Sequence, residues 1–321
     1  MAGHSGQFYT LAVGRQTSKG TAQTTPKFKL RTTGGAVIPD QTIIDLPETD
    51  SSIQRSKSAK VGHSIGGANE GMIRADEFGF LAYLHLGANN TTGAGPYTHT
   101  ATAAAQQPYG TLYPAYDSTA LVDRYVDCRI TELVARGSGQ QALTYSAGWM
   151  GLSSTHGETD PGSPAPSTLD PLTYPDVTVT LGGVTTDIVE SWEINSTRNA
   201  EVIYGDTGMS ASEVGTGRWS VTGSLVVLFE TDAKHRAWIT NSTSGTSPSA
   251  TIFTEALTIL CQRSASNSVQ FTMSAVELRR VALAPDPSGN SLRFTYEFAA
   301  QPQATIANTL SIVSINSTST Y

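Results

Sequence analysis

Gly62-His63-Ser64-Ile65-Gly66 has the Gly-x-Ser-x-Gly spacing of a serine nucleophile elbow. That chemistry needs a buried strand turning sharply into a helix, so that the hydroxyl stands clear of the backbone. Neither flank supplies it. Ser56-Lys57-Ser58-Ala59-Lys60 ahead of the motif is polar, and Gly67-Ala68-Asn69-Glu70-Gly71 after it is too rich in glycine to start a helix. The motif reads as a glycine-rich strand edge, and Ser64 is not expected to be a nucleophile. Gly137-Ser138-Gly139-Gln140-Gln141-Ala142 copies the spacing of a dinucleotide loop. Such a loop must open a helix whose N-terminus holds a pyrophosphate. An alternating strand pattern comes next here, so these residues read as a hairpin turn. The histidines are His4, His63, His85, His99, His156 and His235; none pairs at helical zinc spacing, and Cys128 and Cys261 form no Cys-x-x-Cys. Nothing in this set points to catalysis, a metal or a cofactor. His85 and His235 are expected at the surface or half-buried. Glu132 and Glu277 recur in similar settings and read as a repeated structural contact rather than a catalytic pair.

The elements around these residues can be read from periodicity. Val126-Asp127-Cys128-Arg129-Ile130-Thr131-Glu132-Leu133 and Phe271-Thr272-Met273-Ser274-Ala275-Val276-Glu277-Leu278 both alternate apolar and polar and close on Glu-Leu. On that match Val126, Cys128 and Ile130 correspond to Phe271, Met273 and Ala275. Turn residues come after each, Arg136 to Gln140 and Pro285 to Asn290. A second alternating strand then carries Leu143, Tyr145, Ala147 and Trp149 in one case and Leu292, Phe294, Tyr296 and Phe298 in the other. Two long antiparallel hairpins at matching places are thus expected. Thr111-Leu112-Tyr113 precedes the first as Leu257-Thr258-Ile259 precedes the second. Further upstream, Asp76 caps a short helix over Glu77 to Leu86, with Phe78, Leu81, Leu84 and Leu86 as its apolar stripe. Asp232 opens a second over Ala233 to Thr240.

The whole reads as one β-fold, duplicated. The divisions are an N-terminal arm over 1–25, a first β-domain over 26–152, a proline-rich linker over 153–175, a second β-domain over 176–302 and a C-terminal tail over 303–321. Composition agrees with an all-β class. Charged residues are 15% of the 321, against about a quarter in ordinary globular domains. Serine and threonine are abundant, which disfavours helices. The net charge of −7 gives no basic face for gripping phosphates, so tight nucleic-acid binding is not expected. No apolar run approaches the length of a membrane span, and Met1 to Thr10 has no secretion signal pattern. The cysteines are read as free core thiols made in a reducing compartment.

Gly14-Arg15-Gln16-Thr17-Ser18-Lys19-Gly20-Thr21-Ala22 resembles the opening of tail tube (major tail) proteins of long-tailed, non-contractile bacteriophages. Tyr97-Thr98-His99-Thr100-Ala101-Thr102, Pro108, Thr111-Leu112, and Tyr125 through Leu133 resemble that family's middle section, and Trp149-Met150-Gly151 continues it. The chain departs from the family where Arg74-Ala75-Asp76 stands in place of an apolar residue or proline before the helix.

The resemblance implies a structural virion protein and not an enzyme: antiparallel β-sandwich domains with one flanking helix, six to a ring, with inner sheets joined as a barrel. It implies rings stacked around a tape-measure protein, contacts with tail terminator and distal tail proteins, and transient passage of DNA through the bore. Assembly would take place in the host cytoplasm, without a membrane anchor. Two domains per chain then give a trimeric ring with pseudo-sixfold symmetry. Glu48 to Lys60 and Ser196 to Gly217 are the candidate inter-ring loops, with Glu48, Asp50, Arg55, Lys57, Lys60, Arg198, Glu201, Asp206 and Glu213 as contact residues. The rival expectations are another virion β-protein, such as a decoration or fibre protein, and a serine esterase using Ser64.

Overall fold

The computed structural model describes residues 9–46, 57–116, 121–186, 189–206, 208–228, 231–284 and 291–321. In chain order the first half holds β1 (Thr10–Arg15), β2 (Phe28–Leu30), β3 (Thr32–Asp45), β4 (Ser58–Met72), α1 (Ala75–Leu86), β5 (Gly87–Thr92), β6 (Tyr97–Ala103), β7 (Gly110–Ala115), β8 (Asp123–Ser138), β9 (Thr144–Gly151) and β10 (Ser153–His156). The second half holds β11 (Val177–Leu181), β12 (Val184–Thr186), β13 (Val189–Thr197), β14 (Glu201–Tyr204), β15 (Ala211–Gly215), β16 (Ser220–Leu228), α2 (Ala233–Thr240), β17 (Thr254–Ser264), β18 (Asn267–Ala284), β19 (Arg293–Ala300) and β20 (Ser311–Asn316). Every ladder between these strands is antiparallel, and the protein is all-β with two short helices.

One sheet runs unbroken through both halves in the order β3-β4-β9-β8-β13-β16-β19-β18. A second layer in the first half runs β2-β1-β7-β8-β10; in the second half it runs β12-β11-β17-β18-β20, continued by β6 and β5. β8 and β18 are long enough to serve both layers, and β8 changes layers near Asp127, held at φ 59°. Strands with one buried face alternate as their ladders require, so Tyr145, Ala147 and Trp149 of β9 point inward while Thr144 is exposed. One apolar core joins the halves: Phe78 of α1 lies 5.7 Å from Phe271 of β18, ring centre to ring centre, and Phe271 lies 5.6 Å from Trp192 of β13.

The two hairpins form as the alternation requires, and α2 spans the expected residues. Several other expectations change. Residues 10–15, assigned to an arm, are a core strand with Leu11 and Val13 fully buried. The linker segment begins as β10, paired to β8, and ends with Leu172 fully buried; its amide donates to the Ile73 carbonyl at 2.9 Å. The tail contains β20, paired on both sides, and ends with Tyr321 stacked on His99 at 3.8 Å. Each segment holds too few apolar residues to announce a core strand by itself, yet Leu11, Val13, Leu172 and Ile312 all enter the one core once these backbones join their sheets.

Helix α1 starts at Ala75 and has Arg74 at its N-cap position, not Asp76. The Asp76 carboxylate sits inside the first turn and accepts the Glu77 amide at 2.8 Å and the Ser167 hydroxyl at 2.6 Å. Nor does α1 show one apolar stripe. All of its residues are buried, because α1 packs on β8 and also on the layer formed by β18, β20, β6 and β5.

The strand ladders also revise the sequence match between hairpins. In β8 the ladder to β9 slips at Thr131, between Ile130↔Trp149 and Glu132↔Gly148. In β18 the ladder to β19 slips at Arg279, between Leu278↔Phe298 and Arg280↔Glu297. Glu132 therefore corresponds to Arg280, not to Glu277. The same logic places Leu112, opposite Tyr125, with Leu257, opposite Met273. The two bulges stand at the same place and cancel between the hairpins; the three-residue difference comes from the ladder partners Trp149 and Phe298, which a match on apolar letters in one strand does not consult.

Candidate assembly surface

Assembly of β-proteins proceeds through edges and ends, so the open edges and the end loops are the candidate site. β3 pairs only with β4, and the 278–284 part of β18 pairs only with β19, so among the described residues the continuous sheet ends in these two edges. Within this continuous sheet the joint between halves is the β8–β13 ladder, from Glu132↔Thr197 to Ser138↔Ser191. Arg136 and Glu193 close it with an ion pair at 2.7 Å, and Asn195 donates to Glu132 at 2.8 Å.

Under that joint lies a polar relay, buried at His85 and Ser196 and half-buried at Trp219. His85 Nδ1 donates to the Ile130 carbonyl at 3.1 Å, since a carbonyl can only accept. Its Nε2 is then the acceptor, and takes the Ser196 hydroxyl proton at 2.7 Å. The Ser196 oxygen in turn accepts Trp219 Nε1–H at 2.9 Å. Burial holds His85 neutral, with its pKa lowered to about 3. The expectation of a surface or half-buried His85 is thus corrected: a histidine beside leucines gives no sign of a partner 111 positions away. His235 is half-buried, as expected.

Arg198, named as an inter-ring contact, is withdrawn into the fold. It is 3% exposed, and its guanidinium donates to the carbonyls of Leu86 at 2.7 Å and Ala104 at 3.1 Å. It thereby satisfies the C-terminal end of α1, where carbonyls lack helical partners. Burial, then the charge of Arg129, lowers its pKa to about 10, so it stays cationic at neutral pH. Glu213 is also committed within the chain, to Lys19 at 2.7 Å, Arg129 at 3.4 Å and the Tyr109 hydroxyl. Burial opposes its ionisation, but the hydrogen bonds from Lys19 and Tyr109 outweigh it and hold the carboxyl below its ordinary range.

Of the remaining loop residues, Lys57, Lys60, Glu201 and Asp206 are exposed. Glu48, Asp50 and Arg55 lie outside the described residues. The described base of the first candidate loop, the paired ends of β3 and β4, lies beside the second candidate loop, where His63 of β4 bridges to Ser210. β3 and β4 stay paired out to Asp45↔Ser58, well past Ile65↔Gly151, where β9 stops, so they form a projecting arm. Ile43, Ile44 and Val61 on that arm are 43–62% exposed. The segment 198–217 is not a loose polar loop: β14 and β15 form a hairpin that packs Ala211 and Val214 on Leu152 and Met150 of the first half. His63 of the arm donates its amide to the Met209 carbonyl at 2.7 Å, tying arm and hairpin together.

Among the described residues no catalytic constellation accompanies these surfaces. Ser64 is 8% exposed in the middle of β4, opposite Asp40, and the chain continues as strand to Met72. The cavity beside α2 is lined by Val179, Leu181, Leu225, Val227 and Tyr296, with Lys234 at its rim; no nucleophile meets a base there. Cys128 and Cys261 are free and buried. Among the described residues no three His, Cys, Asp or Glu side chains gather as a metal site, and no helix is long and apolar enough to cross a membrane.

A family model described as phage tail tube protein matches residues 10–310. The chain belongs to the phage tail tube protein family. No curated protein sequence matches it. Membership makes this a structural protein of the virion tail, which self-assembles into a tube and works among other tail proteins.

Proposed function

We propose that this tail tube protein carries two tube units in one chain, and that three chains close each ring with pseudo-sixfold symmetry. The observation that carries the reading is the repeated strand order. The first half supplies β3-β4-β9-β8 and the second supplies β13-β16-β19-β18, joined head to tail through β8 and β13. The irregularities repeat as well: β3 slips against β4 between Thr32 and Gly34, and β13 slips against β16 between Val189 and Ser191. β3 is then the free counterpart of β13, and β18 the free counterpart of β8. A heterologous contact of this kind makes a closed ring when its rotation closes, and closure removes the open edges.

In such a ring the solvent-facing side of the continuous sheet lines the bore. That side carries Asp40, Glu70, Glu132, Glu193 and Glu297 among small Gly, Ala, Ser and Thr residues. Its arginines are paired with carboxylates: Arg136 with Glu193 at 2.7 Å, Arg280 with Glu297 at 3.3 Å, and Arg293 with Glu190 at 2.6 Å. A wall whose cations are already neutralised does not hold phosphate, which suits a conduit for ejected DNA. The projecting β3–β4 arm and the β14–β15 hairpin sit at one end and serve stacking on the next ring, with Lys57, Lys60, Glu201 and Asp206 at hand. The tape-measure, terminator and distal tail proteins are the further partners in this reading. Electron cryomicroscopy of assembled tubes tests it: three chains per ring with both halves in the wall is the expected result. Six chains per ring, or one half placed outside the wall, refutes it.

A further inference from the structure

We propose that neighbouring chains join in one defined strand register, with Arg280 of β18 opposite Asp40 of the next chain's β3; this rests on the ring reading above and adds its residue-level geometry. The register comes from transferring the in-chain joint onto the two open edges. Trp149 and Phe298 occupy the same place in their ladders, opposite Gly67 and Gly223. Gly67 is in turn opposite Val37, and Gly223 opposite Ile194, so Val37 takes the place of Ile194 and Asp40 the place of Thr197. Across from Trp149 and Phe298 stand Ile130 and Leu278, each with a bulge at the next residue, so Arg280 takes the place of Glu132. In the chain, Glu132 pairs with Thr197 and Val134 with Asn195. Between chains the same ladder pairs Arg280 with Asp40, Val281 with Pro39 and Ala282 with Ile38.

Three features of the two edges fit this register. Arg280 and Asp40 carry opposite charge and lie on the same, solvent-facing side, where Glu297 already flanks Arg280 at 3.3 Å. The Arg198 amide bonds the Thr131 carbonyl at 2.8 Å, so by alternation the Glu132↔Thr197 position is one without backbone bonds, where Cα atoms come within about 4.5 Å. An ion pair therefore forms there with little reach. Pro39 stands where its missing N–H faces the open edge rather than β4; a proline is tolerated in a strand only on such a side. It leaves one rung of the joint unmade and blunts the edge of the free chain against indiscriminate pairing. The Val37 carbonyl, which this register turns toward the neighbour, is met in the single chain by the Tyr116 hydroxyl at a long 3.4 Å, a bond that a strand amide replaces at ordinary distance.

Cysteine cross-linking reads the register directly. Ile38 is 52% exposed, and its expected neighbour Ala282 lies on the same side at a position without backbone bonds, within disulfide range. The native Cys128 and Cys261 are fully buried and do not interfere. Full-length Ile38→Cys/Ala282→Cys protein, assembled into tubes and oxidised, is expected to run as linked dimers and trimers without reductant. Ile38→Cys/Val281→Cys, shifted by one residue to the opposite face, is expected to stay unlinked. Linking in the shifted pair, or none in the first pair although micrographs show tubes, overturns the register. Ladders reaching six chains keep the register and refute the three-chain ring. If the cysteine variants make no tubes, charge exchange decides: Asp40→Arg and Arg280→Asp each abolish assembly, and the combined variant restores it. Failure of the combined variant, or unimpaired single variants, overturns the proposal.

Discussion

Acid should loosen the joint between the halves through His85. In the unfolded chain this imidazole takes up a proton at its ordinary value of 6.5; in the fold it resists until about pH 3, because burial disfavours the cation. The unfolded state therefore binds more protons throughout that window. The stabilisation is fully present above pH 6.5 and is lost as pH falls toward 3. At about 1.4 kcal/mol per pH unit, the whole window is worth roughly 4–5 kcal/mol, and the part between pH 6.5 and 4.5 about 2–3 kcal/mol. The structural reason is specific: protonated Nε2 can no longer accept the Ser196 hydroxyl, and Arg198 already places a buried positive charge nearby. The assay is urea unfolding of the unassembled chain, followed by tryptophan fluorescence, for the parent and for His85→Asn between pH 7.5 and 4.5. Other titrating groups are common to both proteins, so the difference in stability isolates this residue. It should shrink by about 2–3 kcal/mol from pH 6.5 to 4.5. A difference that stays flat over that range would show that His85 is hydrated or already charged, and the relay through Ser196 and Trp219 would be wrong.

Glu77 should behave in the opposite sense: burial, then Asp76, raises its pKa to about 7, so its stabilisation is present below pH 4.5 and is lost as pH rises through 7. In the same urea assay Glu77→Gln should therefore gain on the parent by about 3 kcal/mol between pH 4.5 and 8. Phe271→Ala removes a ring that is 1% exposed and touches both Phe78 and Trp192; it should cost about 3–5 kcal/mol in urea unfolding. Gly137→Ala would set its new carbon 2.4 Å from Trp192 Nε1 at the joint of the halves, and a loss of about 1–3 kcal/mol in thermal or urea unfolding is expected. A fluorophosphonate probe should leave Ser64 unlabelled by mass spectrometry; labelling that disappears in Ser64→Ala would reopen the esterase reading.

The strands of the two hairpins and the place of α2 were legible because alternation is a local property: Tyr145, Ala147 and Trp149 announce a buried face without any knowledge of what covers it. The resemblance to tail tube proteins was legible for a similar reason, since the order of its motifs survives in the linear chain and the family match spans residues 10–310. Only the tertiary structure decided the rest. β1, β10 and β20 are short or polar strands recruited by neighbours that need an edge filled, and no window around them carries that demand. The cross-strand partners Trp149 and Phe298 make Glu132 the counterpart of Arg280, a pairing invisible to a match of letters within one strand. Arg198 and His85 looked like surface residues because their partners, Leu86 and Ser196, belong to the other half of the chain. A side chain's alternation is set by its own backbone, whereas its burial and its hydrogen-bond partners are set by whichever distant strand arrives against it.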